Sequence, residues 1–185
     1  MKKFIILTTA MISLFMYSEK SRAEFLLEPF GGISLNQKWD DGTNTGAFSG
    51  AVIGARAGFH KMGFSFGFDA RQSTVSITPT TGSAYDAEHS QIGLMAAYEF
   101  PVMVRVWASS VLTSTLKNSD TDYEFSDASG STFGIGYTGL PYLSMNVEMA
   151  TTSYSKGKAK ADSTKSSIDL SLSYILLSIS LPLVF

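Results

Sequence analysis

The chain has 185 residues, with 14 Lys plus Arg against 16 Asp plus Glu and a formal charge of −2. It contains no cysteine, which excludes disulfides, thiol chemistry and a lipid-anchored cysteine after the leader. Hydrophobic residues make up 44% of the chain, yet no long segment repeats them with a helical period.

At the N-terminus, Lys2 and Lys3 precede an apolar run from Phe4 to Tyr17, and Ser21-Arg22-Ala23 follows it. This order predicts a secretory signal cleaved after Ala23. The run is shorter than the roughly 20 residues a helical span needs. Residues 1–23 carry Lys2, Lys3, Lys20 and Arg22 against Glu19, and taking that +3 from −2 leaves the mature residues 24–185 at −5. Such a mildly acidic domain has no electrostatic footprint for nucleic acid.

Strands are predicted at 25–36, 49–60, 63–76, 88–100, 102–117, 131–140, 142–155 and 166–185. In the third, Phe64, Phe66, Phe68 and Ala70 alternate with Ser65, Gly67, Asp69 and Arg71. The fourth, fifth and seventh alternate in the same way, giving each strand one apolar and one polar face. Tight turns are expected at His60–Gly63, Phe100–Val102 and Leu140–Tyr142, and polar loops of about a dozen residues at the other connections. Strict alternation of short and long connections is the pattern of an antiparallel up-and-down barrel. In the last strand the apolar residues sit at even positions from Ile168 to Tyr174, then at odd positions from Leu177 to Phe185. Either a β-bulge near Ile175–Leu177 restores the phase, which is the expectation, or one end turns apolar residues inward.

Alternation does not say which face is inside, and a soluble ligand-binding barrel has the same strand count. The polar faces here carry glycines and isolated charges. Aromatics (Phe59, Phe64, Tyr98, Phe100, Tyr142 and Phe185) gather where strands meet the short turns, as in an interfacial girdle. The predicted fold is therefore all-β, an eight-stranded antiparallel up-and-down transmembrane β-barrel.

With these features the chain resembles the small outer-membrane barrels of Gram-negative bacteria, of the OmpX, Opa and OmpA-transmembrane-domain type, over residues 24–185. The resemblance rests on architecture and the terminal pattern. It implies a monomer in the outer membrane, in contact with lipid and lipopolysaccharide. The short turns would then be periplasmic, and residues 37–48, 77–87, 118–130 and 156–165 extracellular. It further implies that Leu177, Ile179, Leu181, Leu183 and Phe185 form the signal read by the barrel-assembly machinery. Pro182 departs from the usual pattern, and with Pro29 it predicts a weakened seam between the first and last strands.

The polar faces place Glu28, Arg56, Asp69, Arg71, Glu99, Arg105, Glu148 and Asp169 in the lumen. A barrel of this size is only wide enough for side chains to fill, so a paired plug is expected, with Trp107, Met95 and Met103 also filling space. Glu99 and Arg105 are equidistant from the turn near Val102 and are expected to pair across it. Glu88-His89-Ser90 has the residue types of an esterase site, but His89 and Ser90 point to opposite faces. His60 lies more than about 30 Å away along an adjacent strand, at ~3.3 Å per residue. His89 is expected in a solvated loop, and catalysis is not expected.

The third loop holds Asp120, Asp122, Glu124 and Asp127, and its D-x-D-x-E beginning looks like half a calcium loop, but Phe125 replaces the turn glycine and Ser131 the closing glutamate. No metal or cofactor is expected. Lys156, Lys158, Lys160 and Lys165 in the fourth loop suit contact with phosphorylated lipopolysaccharide. The expected role is structural or adhesive, towards a receptor the sequence does not name. A narrow channel or small-ligand conduit is the alternative, and a lipid A-modifying enzyme comes third.

Overall fold

A computed structural model describes residues 23–42, 45–80, 84–119, 123–159 and 166–185. The predicted signal, other than Ala23, lies outside these residues, as do Asp120, Asp122, Lys160 and Lys165. The described chain forms β1 (Glu24–Asp40), β2 (Thr45–Lys61), β3 (Phe64–Pro79), β4 (Tyr85–Phe100), β5 (Val104–Asn118), β6 (Tyr123–Leu140), β7 (Leu143–Ala159), β8 (Ser166–Ser180) and the two-residue β9 (Leu183–Val184). Each long strand pairs antiparallel with the next, and β1 pairs with β2 on one side and with β8 and β9 on the other. The ring is closed, giving the transmembrane barrel of eight long strands that the alternation predicts.

The short turns lie where expected. Met62 (φ 53°) and Gly63 (φ 82°) are both left-handed, which matches the twist of the flanking strands in a two-residue hairpin. Pro141-Tyr142 joins Leu140 to Leu143, with Tyr142 at φ 63°, the arrangement of a type II turn. The long connections are much shorter than predicted. β1 runs to Asp40 and β2 begins at Thr45, so most of the expected loop 37–48 is strand, and the other three long connections shrink in the same way.

The reason is a reversal of polarity along every strand. On β3 the outward residues are Phe64, Phe66, Phe68 and Ala70, then Gln72, Thr74, Ser76 and Thr78; the inward ones are Ser65, Asp69, Arg71 and Ser73, then Val75 and Ile77. Phe66 is 47% exposed while Ile77 is 0% exposed. β7 behaves alike, with Met145, Val147 and Met149 outward below Thr151, and Tyr154 inward above Glu148. The half nearest the short turns is thus apolar outside and polar inside. The half nearest the long connections is polar outside, around a core of Trp39, Phe48, Val75, Ile77, Leu116, Leu170, Leu172 and Leu176. Outward positions of β1 from Phe25 to Leu35 rise about 25 Å for a strand tilted ~40°, the height of a hydrocarbon-facing band. Above that level an outward side chain meets water, and the barrel needs an ordinary apolar filling. The predicted loops read as polar because only their outward positions are.

The same reversal corrects the reading of β8. The β7–β8 register is continuous from Ser144↔Ser180 to Tyr154↔Leu170, so the expected bulge near Ile175–Leu177 is not there. Leu170, Leu172, Tyr174 and Leu176 face the core, Leu177 and Ile179 face outward, and the strand crosses the boundary between them. Extra residues lie instead on β1 between Leu35 and Lys38, on β5 between Val111 and Thr113, on β6 between Tyr137 and Leu140, and on β8 itself further along, between Ser167 and Leu170. The first moves the inward phase of β1 from Ser34 to Gln37 and Trp39.

The seam keeps its register through both prolines, from Phe30↔Ser180 to Leu27↔Leu183. Leu181 N–H donates to the Pro29 carbonyl at 3.0 Å; Pro29 has no N–H to return. Beyond it, Phe25 and Phe185 exchange both backbone hydrogen bonds at 3.0 Å. The girdle expected at this rim includes Phe64, Tyr98 and Phe100, with ring centroids 4.5 and 4.8 Å apart in sequence around the wall.

Because the chain has no native cysteine, single cysteines report the boundary cleanly. In proteoliposomes, Ser76→Cys should react with a membrane-impermeant maleimide and Phe68→Cys should not. Equal labelling of the two would place the boundary elsewhere.

Candidate functional site: the charged lumen and the loop-side rim

At mid-height the barrel buries three acids and three bases contributed by five strands: Glu28, Asp69 and Glu148 against Arg56, Arg71 and Arg105. Their positions follow from register. Glu28 lies opposite Arg56, and Arg56 opposite Asp69, so one lateral row of β1, β2 and β3 reads acid, base, acid. Arg56 sits at the centre, with Nη1 3.2 Å from Glu28 Oε1, Nε 3.4 Å from Asp69 Oδ2 and Nη2 2.5 Å from Glu148 Oε1. Arg71 grips Asp69 with two donors at 3.1 and 2.5 Å, and its Nη2 also lies 3.0 Å from Glu148 Oε2. Arg105 donates to Glu28, as does Ser180 Oγ at 2.5 Å.

Aromatic rings cover the remaining faces. The Arg56 guanidinium lies 4.4 Å from the Phe30 ring and 4.5 Å from the Trp107 ring. Trp107 fits because β6 offers Gly134, where an added Cβ would come within 2.2 Å of the indole. A charge taken out of water is tolerated only when it is paired and hydrogen-bonded, and here each ionised group meets an opposite one.

Two of the predicted lumen residues are not in this cluster. Glu99 is in register with Arg105, as the turn geometry requires. Their side chains part company, however: Thr138 Oγ1 donates to Glu99 Oε1 at 3.0 Å, while Arg105 is committed to Glu28. Glu28 is wholly buried and can be satisfied only by protein groups, whereas Glu99 is half-buried at the mouth, within reach of water. Asp169 is exposed on the outside of β8, because it lies above the polarity boundary. Met103 also fails to fill the lumen; it sits in the β4–β5 turn at φ 62° and is 53% exposed. Met95 and Trp107 do point inward.

His89 is not in a solvated loop. It is buried in the loop-side core, with Nε2 3.0 Å from Ser114 Oγ and Nδ1 3.4 Å from Ser73 Oγ. Ser114 in turn meets Tyr154 OH at 2.8 Å. The phase of β4 could have located it, since His89 is in step with the inward Gln91 and Met95. Ser90 points outward as expected and bonds Thr115 Oγ1 at 2.8 Å. Sequence reasoning had no means of finding Ser114, Ser180 or Thr138, since serines and threonines are spread over both faces.

On the loop-side rim Lys156 pairs with Asp127, and Lys158 stands opposite Glu124 across β6–β7. Along the terminal stretch Leu177, Ile179, Leu181 and Phe185 are exposed on the outer wall, and Leu183 is half-buried.

A cluster neutral in sum, closed inside a ring with an apolar outer belt, is the architecture of a transmembrane barrel. No protein-family model and no curated protein matches the chain. Among solved structures it is similar to Neisserial surface protein A, at 13% identity over 85% of this chain and 96% of that one, with a TM-score of 0.54. It is also similar to the outer membrane protein OprG from Pseudomonas aeruginosa, at 9% identity over 88% and 97%, with a TM-score of 0.47. The fold is that of the small outer-membrane β-barrels.

Removing the central base leaves three buried carboxylates short of partners. Arg56→Met should destabilise the barrel by ~3–5 kcal/mol, measured by urea-induced unfolding in lipid. Across the β4–β5 turn, Arg105→Met should cost more than Glu99→Gln, because only Arg105 meets a wholly buried carboxylate. The double variant should show the sum of the two losses; strong non-additivity would mean that the two side chains meet after all.

Proposed function

We propose that the chain is a non-enzymatic barrel of the bacterial outer membrane that holds a rigid recognition or adhesion surface on the cell exterior. In this reading the short turns face the periplasm and the loop-side half stands outside the membrane. The observation that carries the proposal is the two-level filling of the lumen. The ion cluster occupies the membrane half at mid-height, and the Trp39–Leu176 core fills the half above it. A lumen occupied at both levels supports a role exercised by the outer surface and its loops, where recognition commonly resides. Extension of the strands beyond the apolar belt makes that surface stiff. The buried His89–Ser114 contact is enclosed by the same core, which favours a packing role for it over catalysis. Lys156, paired with Asp127, and Lys158 would still carry their charge at the rim, suited to phosphate groups of lipopolysaccharide. The exposed Leu177, Ile179, Leu181 and Phe185 on the outer wall suit recognition by an assembly machinery before the barrel closes.

One feature favours the alternative of a narrow conduit. A cavity of about 520 Å³ opens at the short-turn mouth and reaches Arg105, between Glu24, His60 and Glu99. Planar-bilayer recording separates the two readings. Purified barrel should give no unit conductance steps, and a steady step lost in a variant of the mouth would favour the conduit. Protease added to intact cells should cut within 41–44, 80–84, 119–122 or 160–165 and leave the short turns intact. Exchange of those four connections should abolish any adherence that expression confers while leaving a folded barrel.

A further inference from the structure

The outer wall carries a groove of about 460 Å³ across β2, β3, β4 and β5. It straddles the polarity boundary. Register sets two outward rows there: Ala70, Ile92 and Thr113, which continue a row from Ala55 beside the groove, and, one step higher, Ile53, Gln72, Ser90 and Thr115. Each row runs from an aliphatic residue on β2 to a hydroxyl on β5. Beside it β5 carries its extra residue, and both Leu112 and Thr113 point outward. The only charged residue in the lining is Arg71, whose guanidinium is turned into the lumen and held by Asp69 and Glu148. Two other wall grooves, one around Ile33 and Val147 and one around Phe66 and Phe133, lie within the apolar belt and offer mainly hydrocarbon contact.

We infer that this groove is a binding site for one outer-leaflet glycolipid, held where an acyl chain joins its sugar headgroup. The chain lies on Ile53, Ala70 and Ile92. Sugar hydroxyl and amide groups meet Gln72, Thr113 and Thr115, whose side chains both donate and accept. A lipid recognised through its phosphate would call for an outward Arg or Lys here, and the lining presents none. The inference rests on the outer-membrane reading above, since it needs a glycolipid in the leaflet that meets the boundary.

The test uses the folded chain in neutral detergent, incubated with rough lipopolysaccharide or with phosphatidylglycerol, and native mass spectrometry to count what stays bound. One lipopolysaccharide per barrel should survive detergent washing that strips phosphatidylglycerol. Ala70→Phe fills the groove and should abolish retention, whereas Met149→Phe on the far wall should leave it unchanged. The near-isosteric pair Thr113→Val with Thr115→Val removes two hydroxyls at unchanged side-chain volume, at the cost of the exposed Ser90–Thr115 hydrogen bond, and should weaken retention about tenfold. This pair decides the matter if Ala70→Phe does not fold. Equal retention of phosphatidylglycerol, or full retention of lipopolysaccharide by the variants, would overturn the site. Cell fractionation reports separately on outer-membrane placement, so the two readings fail independently.

Discussion

Hydrocarbon offers no partner to a backbone N–H or C=O, so strands that border it are stable only as a closed ring. The seam between β1 and the end of the chain is where that requirement is hardest to meet, because Pro29 cannot return the hydrogen bond it accepts from Leu181. Continuous register and the reciprocal Phe25–Phe185 pair close the ring around this gap. Closure in turn constrains the interior. A ring of eight strands leaves a lumen too narrow for bulk water and too wide to be left empty, so inward side chains have to fill it.

They fill it in two different ways because the outside changes. Where the wall meets lipid, apolar residues are spent on the outer face and the inward positions are polar. Charges placed there have no bulk water, and the arrangement of Arg56, Arg71 and Arg105 among three carboxylates gives each charge an opposite partner. Such a cluster adds less net stability than its short distances suggest, since desolvation offsets much of the attraction. Its larger consequence is specificity, as a register slip would send each charge into lipid. Where the wall meets water, the outer face turns to Ser, Thr, Asp and Lys, and the interior becomes a core like that of any soluble protein.

This inside-out junction ties the fold to the function proposed above. A barrel ending at the membrane surface could present only flexible loops. Here the strands continue past the apolar belt with their own core beneath them, so the loop-side surface is borne on sheet. The same junction gives the outer wall a band where aliphatic and hydroxyl side chains adjoin, the chemistry of the groove between β2 and β5.

The sequence by itself determined the strand number, the antiparallel order and the short turns, because period-two alternation and turn residues are local properties. It also placed Glu28, Arg56, Asp69, Arg71, Arg105 and Glu148 on inward faces, since phase along one strand is enough for that. What it could not determine is where that phase changes meaning. Asp169, His89 and the even-numbered leucines of β8 depart from the sequence expectation for one reason: apolar residues mark the outside of a strand in lipid and the inside of the same strand in water. The height of the boundary emerges only when all strands are aligned in register. The pairing of charges was likewise decided in three dimensions. Glu99 and Arg105 are neighbours across a turn, yet Arg105 joins Glu28 from a distant strand, because a fully buried carboxylate has a stronger claim on a guanidinium than one at the watered mouth.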